Sequence, residues 1–407
     1  MKKKSLIIGF FLSILVLGSM LTACGKTSVN KKSLNEYAVR AMKQAQEASD
    51  SGTFGVGGIL MDLDGNIICE MHNRVITGSR INDPTAHGER QIVDWYLANK
   101  EKEHLPEPEK CILITTLDPC VMCTGALAQV QFNKVIVVAL DDYAGINWEG
   151  SADCHALDGT DCQKYVKEHF AYPEVTGEMS RKAFGAGLAD LKLFSDVTVT
   201  SETLKGCQDA FGLTADAVRD KVSSSAVSLE DIQNPADLEP THPVRKYLEE
   251  SFGSDFLACT YTGDSAEDFL NYIQKEHPGF SGVAYFDMFG NLLYLAEDDD
   301  NISTQSAFMK VTRKYAAVRN TEPIEGYEIN KFLSNPKYGY FVYMNCPQIS
   351  AKTIMELGAI GSTLENTSEH PIMYFYGKEN QPAIDALIKK LPPLYNKNIN
   401  IRFEPVL

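Results

Sequence analysis

Runs of basic residues are absent from this 407-residue chain beyond its first four positions, and Lys plus Arg total 38 against 54 Asp plus Glu, a formal charge of −16. A chain of that sign offers little to neutralise phosphates, so nucleic acid is not expected as a partner. Cysteine is too sparse for a disulfide scaffold: there are ten, and each is read singly. Hydrophobic residues at 44% and charged residues at 23% are ordinary for a globular protein, which excludes wholesale disorder and collagen-like fibres. The length allows two domains or three.

What is present begins with an address. Lys2, Lys3 and Lys4 precede an apolar run from Leu6 to Leu17, the basic head and short apolar stretch of an export signal, too short to span a membrane comfortably. Leu21-Thr22-Ala23-Cys24 follows and is similar to the lipobox of bacterial lipoproteins. That resemblance implies cleavage before Cys24, lipid on Cys24, and a membrane-anchored protein on the extracytoplasmic face. A plain signal peptide with Cys24 near the cut by chance is the alternative. Loss of residues 1–23 removes three Lys and no acid, taking the formal charge from −16 to −19. Residues 24–35 then form a short polar tether.

From Asn35 the apolar positions Tyr37, Val39, Met42 and Ala45 recur at helical spacing. Phe54 to Met61, the turn Asp64-Gly65-Asn66 and Ile67 to Met71 predict a hairpin. A helix is predicted from about Ala86 to Lys100, a doubly covered strand over Cys111 to Leu117, a helix over Cys120 to Gln131 and a buried strand over Lys134 to Leu140. Leu191 to Val199 reads as an edge strand. This order predicts an α/β fold with helices on both faces of a sheet, over residues 36–200. Residues 201–249 read as a helical connector, broken at Asn234-Pro235 and Glu239-Pro240.

Pro84-Thr85-Ala86-His87-Gly88-Glu89 stands at one helix start and Asp118-Pro119-Cys120-Val121-Met122-Cys123 at another. Cysteines three apart in a first helical turn put both sulfurs on one face, and the positive helix end favours thiolates. A His nitrogen completes three zinc ligands and leaves a fourth position open, as a catalytic site requires. Water bound there becomes a usable nucleophile, and Glu89 is placed to take its proton. Cys120–Cys123 as a redox pair, or a purely structural zinc site, would leave Glu89 without a role.

His-x-Glu followed by Pro-Cys-x-x-Cys is the signature of zinc-dependent base deaminases. Residues 36 to about 145 resemble the cytidine/nucleoside deaminase-like superfamily, with features similar to cytosine, guanine and tRNA-adenosine deaminases. Thr115 through Ala126 looks like a cytosine deaminase, whereas Asp83-Pro84-Thr85-Ala86-His87 looks more like a guanine deaminase. The resemblance implies a three-layer α/β/α sandwich, one zinc held by His87, Cys120 and Cys123, proton transfer by Glu89, and a substrate ring oriented by Asn73. Arg90 departs from the family, which usually has an apolar residue after the Glu. Other candidates are weaker: Cys154–Cys162 as a disulfide, His155 with those cysteines as a second metal site, Tyr143, Trp148 and Phe170 as a pocket lid, and Asp298-Asp299-Asp300-Asn301 as a solvated turn.

The C-terminal part repeats the first. Gly282 to Asp287 with Phe289 to Leu293 can be laid on Gly57 to Asp62 with Asp64 to Ile68 at a constant offset of 225. Extending the alignment puts Gln305-Ser306-Ala307 opposite His87-Gly88-Glu89, and Pro347 to Ala351 opposite Pro119 to Cys123. Residues 250–407 are thus expected to be a degenerate, zinc-free second copy that packs on the first, mediates a dimer-like contact, or binds a ligand without turnover. The leading expectation is hydrolytic deamination of a cytosine- or guanine-type nucleobase or nucleoside outside the cytoplasm. The competing one is a binding lipoprotein that captures a base without turnover, for which Glu89 would serve no purpose.

Overall fold

The computed structural model describes residues 31–148, 155–176, 187–188, 191–223, 227–298, 304–344, 349–363, 372–375 and 380–404. The expected export signal, Cys24, Cys154 and most of the expected Asp298–Asn301 turn lie outside the described residues.

The chain opens with α1 (Leu34–Asp50), started by a capping box between Ser33 and Glu36. A hairpin of β1 (Gly57–Asp62) and β2 (Ile67–His72) follows, then a two-stranded ribbon, β3 (Ile76–Thr77) and β4 (Arg80–Ile81). Next come α2 (Gly88–Asn99), β5 (Cys111–Leu117), α3 (Val121–Val130), β6 (Lys134–Ala139), α4 (Asp161–His169) and β7 (Phe170–Ala171). The strands form one sheet in the order β2-β1-β5-β6-β7. β1 is antiparallel to β2 and β5, while β5, β6 and β7 run parallel. Every residue of β5 is buried, the mark of a strand covered on both faces. Ile112 and Ile114 face α1, and Cys111 and Leu113 face α2 and α3, which gives the three layers.

Residues 191–199 are not a strand in the structure. Asp196 Oδ1 accepts from the Thr198 amide and hydroxyl, a local turn, and the carbonyl of Asp196 is taken by Leu34 N–H at the start of α1. Those bonds spend the backbone a ladder would need; a single parallel bridge, Val175 to Val199, is what pairs. β7 occupies the sheet edge instead.

After this come α5 (Ser201–Gly212) and α6 (Ala215–Ser223). α5 lies beside α1, with Cys207 buried in the same apolar cluster, so part of the expected connector belongs to the first sandwich. The second half comprises α7 (Pro243–Phe252), α8 (Glu267–Glu276), β8 (Gly282–Phe286), β9 (Leu292–Glu297), α9 (Ala307–Arg319) and β10 (Tyr340–Tyr343). It ends with α10 (Ala351–Thr363), β11 (Ile372–Tyr374), α11 (Gln381–Lys390), α12 (Pro393–Asn398) and β12 (Ile401–Phe403).

Its sheet, read from one edge as β9-β8-β10-β11-β12, reproduces the first in strand order and in every parallel or antiparallel pairing. Even the irregularity recurs. The first hairpin slips register between Leu60 and Met61, the second between Tyr285 and Phe286, again 225 residues apart. The turns match atom for atom: Asp62 Oδ1 accepts from Asp64 N and Asn66 N, and Asp287 Oδ1 from Phe289 N and Asn291 N. Gly65 and Gly290 hold the same left-handed position, φ 87 and 84°. α3 and α10 cross at the centre of the molecule, and a single apolar core runs from one sheet to the other.

Candidate active site

β5 ends at Leu117, and the chain turns through Asp118-Pro119 into α3, whose N-cap is Cys120. Asp118 holds that turn: its Oδ2 accepts from Asn147 N at 2.7 Å and its Oδ1 from the Tyr172 hydroxyl at 2.7 Å. The Cys120 sulfur accepts from the Cys123 amide at 3.4 Å, the usual N-cap bond made with sulfur. His87 is the N-cap of α2. Two helix starts thus meet at the end of the central strand.

There, His87 Nδ1 lies 3.4 Å from Cys120 Sγ and 3.8 Å from Cys123 Sγ. The three atoms lie within 4.8 Å of one another, and among the described residues no other group of three or more His, Cys, Asp or Glu converges in this way. Burial alone would raise the Cys120 thiol, but the Cys123 thiol and the His87 ring outweigh it and hold Cys120 well below its ordinary range. One nitrogen and two sulfurs, one readily a thiolate, at two positive helix ends form a donor set that suits zinc. Three protein donors leave a coordination position for water or substrate.

Glu89, in the first turn of α2, is nearly fully buried. Its Oε1 accepts from the Thr115 hydroxyl at 3.0 Å, and its Oε2 from the Cys123 thiol at 3.5 Å. Burial, followed by the neighbouring Cys120 charge, pushes its carboxyl above the ordinary range. A carboxyl so placed both takes and returns a proton. Asn73, just past β2, is buried as well, and its Oδ1 accepts from the Thr53 hydroxyl at 2.5 Å and Val75 N at 3.0 Å. With the carbonyl end occupied, the amide turns its NH₂ group to donate.

His87, Cys120, Glu89 and Asn73 all line one cavity of about 60 Å³, walled mainly by apolar groups including Phe54, Val56 and Leu117. Residues 31–139 match the cytidine and deoxycytidylate deaminase zinc-binding region. A tRNA-specific adenosine deaminase of Aquifex aeolicus is 36% identical over 111 residues, 27% of this chain and 69% of that protein. This chain belongs to the cytidine and deoxycytidylate deaminase family. A probable cytosine deaminase of Schizosaccharomyces pombe is 38% identical over 110 residues, 27% of this chain and 62% of that protein. A guanine deaminase of Bacillus subtilis is 38% identical over 103 residues, 25% of this chain and 62% of that protein. The chain thus spans less than two thirds of these last two relatives. The deaminase similarity falls on the first sheet and its helices.

The cavity has walls that no local motif announces. Phe211 and Arg219 come from α5 and α6, and Ser362, Leu394 and Tyr395 from α10 and α12 of the second half. Tyr395 is fully buried, its hydroxyl 3.3 Å from Ser362 Oγ, and burial and the Cys120 charge raise it well above the ordinary range. Tyr395 lies roughly 270 residues after Cys123 in the chain, so no spacing rule could reach it. Asp141 also lines the cavity; burial raises its carboxyl, and the amides of Tyr143 and Ala144 and the charge of Arg219 oppose that. Of the expected lid residues, Phe170 is core, and Tyr143 is partly exposed with the Arg219 guanidinium 4.8 Å over its ring.

The second half has lost the site in a different register from that expected. The N-cap of α9 is Ser306, which stands where His87 caps α2. Thr353 N donates to Ser350 Oγ at 3.3 Å, as Cys123 N does to Cys120 Sγ. Ser306, Ser350 and Thr353 therefore replace the three ligands, one residue further along than expected at α9 and two at α10. Hydroxyls of this kind make a poor zinc site.

Proposed function

We propose that this chain hydrolyses the exocyclic amine of a free nucleobase or nucleoside, of cytosine or guanine type, to a carbonyl with release of ammonia. The observation that carries the reading is the buried carboxyl of Glu89 beside a converging His87, Cys120 and Cys123. Zinc held by those three residues would supply a Lewis acid that lowers the pKa of water toward neutrality. Asn73 donates its NH₂ to a ring acceptor and sets the face of the base toward Glu89. Glu89 takes a proton from the attacking water and delivers it to the departing nitrogen. The balance is one water consumed and one ammonia released per C–NH₂ converted to C=O. Phe54, Val56 and Leu117 exclude bulk water, which strengthens each polar contact inside.

The named relatives act on different substrates, adenosine in tRNA, cytosine and guanine. The formal charge of −16 argues against a tRNA. We further propose that the mature protein is anchored through lipid on Cys24 at the outer face of the cell membrane. Lys2 to Lys4, the short apolar run and Leu21 to Cys24 support this. No helix among the described residues is long and apolar enough to cross a membrane.

The purified chain, offered cytosine, cytidine, guanine, guanosine, adenine and adenosine in turn, is expected to release ammonia from a cytosine or guanine compound. Ammonia from none of the six, with zinc bound, would overturn the substrate class.

A further inference from the structure

The chemistry above leaves one charged cluster unused. Arg90, beside Glu89, is fully buried; its Nη2 reaches Asp94 Oδ1 at 2.8 Å and its Nη1 the Met355 sulfur at 3.8 Å. Asp94 is shared, because its Oδ2 also takes Nη2 of Arg313 at 3.2 Å. Arg313 belongs to α9 in the second half. From there its Nε reaches Thr85 Oγ1 at 2.7 Å and Asp83 Oδ2 at 3.0 Å. The Thr85 amide and hydroxyl in turn donate to Asp83 Oδ1, at 2.8 and 2.7 Å. Two arginines and two aspartates balance in charge, so the cluster is tolerated at low exposure.

Its location gives it meaning. Asp83 and Thr85 precede His87, and Asp94 lies two turns into α2, so one guanidinium grips the chain on both sides of the ligand. The His87 side chain makes no capping bond of its own at the start of α2. The backbone that carries it is set by the loop before it, which Arg74 N–H holds at the Ala86 carbonyl at 2.8 Å and Arg313 holds at the side chains of Asp83 and Thr85. A planar fork with several fixed donors suits this work as a single ammonium does not.

We propose that Arg313 is a positioning residue for the metal ligand His87, which makes the degenerate half a built-in clamp on the zinc site. The proposal rests on the zinc reading given above. Groups that orient metal ligands from outside the coordination shell typically change metal affinity about 10–100-fold when removed. Arg313 does so from the other copy of the fold.

The test is zinc affinity by chelator competition on the full mature chain, with the cobalt(II)–thiolate absorption band as a second readout. Arg313→Ala is expected to weaken zinc about 10–100-fold and to shift the cobalt band. Arg313→Lys should recover part of both. Lys390→Ala removes a different contact between the halves, to Asp158 at 3.6 Å, and should bind zinc as the wild type does. Should Arg313→Ala not fold, Thr85→Val, which deletes the hydroxyl that links Arg313 to Asp83, is expected to weaken zinc and shift the band in the same direction. Wild-type zinc affinity and an unshifted cobalt band in whichever of these two variants folds would overturn the clamp alone. A folded wild-type chain that binds no zinc would overturn the zinc reading and the clamp together.

Discussion

Gly125 of α3 and Gly358 of α10 meet where the two helices cross, and neither has room for a side chain. A Cβ on Gly125 would stand 2.3 Å from Met355 N, and one on Gly358 2.0 Å from Met122 N. The requirement is mutual, so the two copies approach backbone to backbone. Met122 lies between Cys120 and Cys123, which puts the crossing directly behind the metal ligands. Packing of the two halves and shape of the site are therefore one problem.

Gly358→Val should force the helices apart. Overpacking of a tight core commonly costs about 1–3 kcal/mol, and the backbone atoms facing this position cannot swing away. Denaturant unfolding should show a lowered midpoint, and zinc affinity should fall with it. An unchanged midpoint would mean that the helices cross with more clearance.

Tyr395→Ala opens the wall that the second half lends to the cavity and leaves all three ligand side chains in place, while removing a hydroxyl that meets Cys120. We expect kcat/KM to fall about tenfold or more, equivalent to about 1.4 kcal/mol or more, with zinc content unchanged. Tyr395→Phe keeps the ring and loses only the hydroxyl that meets Ser362 and Cys120, so it should lie between Tyr395→Ala and wild type. Equal activity in all three would remove Tyr395 from the pocket.

Glu356, buried in α10, gives a pH signature. Burial, aided by Asp298 and opposed by Lys352, Ser306 and Tyr343, raises its carboxyl from 4.5 to about 8. The folded chain thus keeps this proton while the unfolded chain releases it, so stability falls as pH rises from about 4.5 to about 8 and levels off above. Glu356→Gln has no proton to lose and should flatten that slope, its stability relative to wild type rising by on the order of a few kcal/mol between pH 4.5 and pH 8. Urea midpoints across this range give the comparison; parallel slopes in the two proteins would contradict it.

Zinc removal should destabilise the whole molecule, because a ligand that binds only the folded state adds stability that grows with the logarithm of its free concentration over its Kd. Dialysis against a strong chelator is expected to lower Tm, and one equivalent of zinc to restore it. The same treatment should leave Tm unmoved in Cys120→Ser/Cys123→Ser.

The sandwich was legible because its signals are local. The all-buried run Cys111 to Leu117 and the turn Asp62 to Asn66 each carry their structure in a few adjacent residues. The metal constellation was legible because helix starts fix where short motifs point. Tyr395, Ser362 and Arg219 were not, since they reach the cavity through tertiary packing alone. The misread segment, Leu191 to Val199, has a strand's apolar content, but Asp196 and the start of α1 use its backbone otherwise. Arg90, puzzling in sequence as a charge where the family keeps an apolar side chain, is explained by partners on both halves, Asp94 and Met355.

The most direct measurement is zinc per chain and ammonia release for wild type beside Glu89→Gln, on whichever substrate of the panel responds. The account predicts one zinc in both proteins, with turnover in the variant down by at least about a hundredfold. Retained turnover in a zinc-loaded Glu89→Gln would contradict the proton role at the centre of the site.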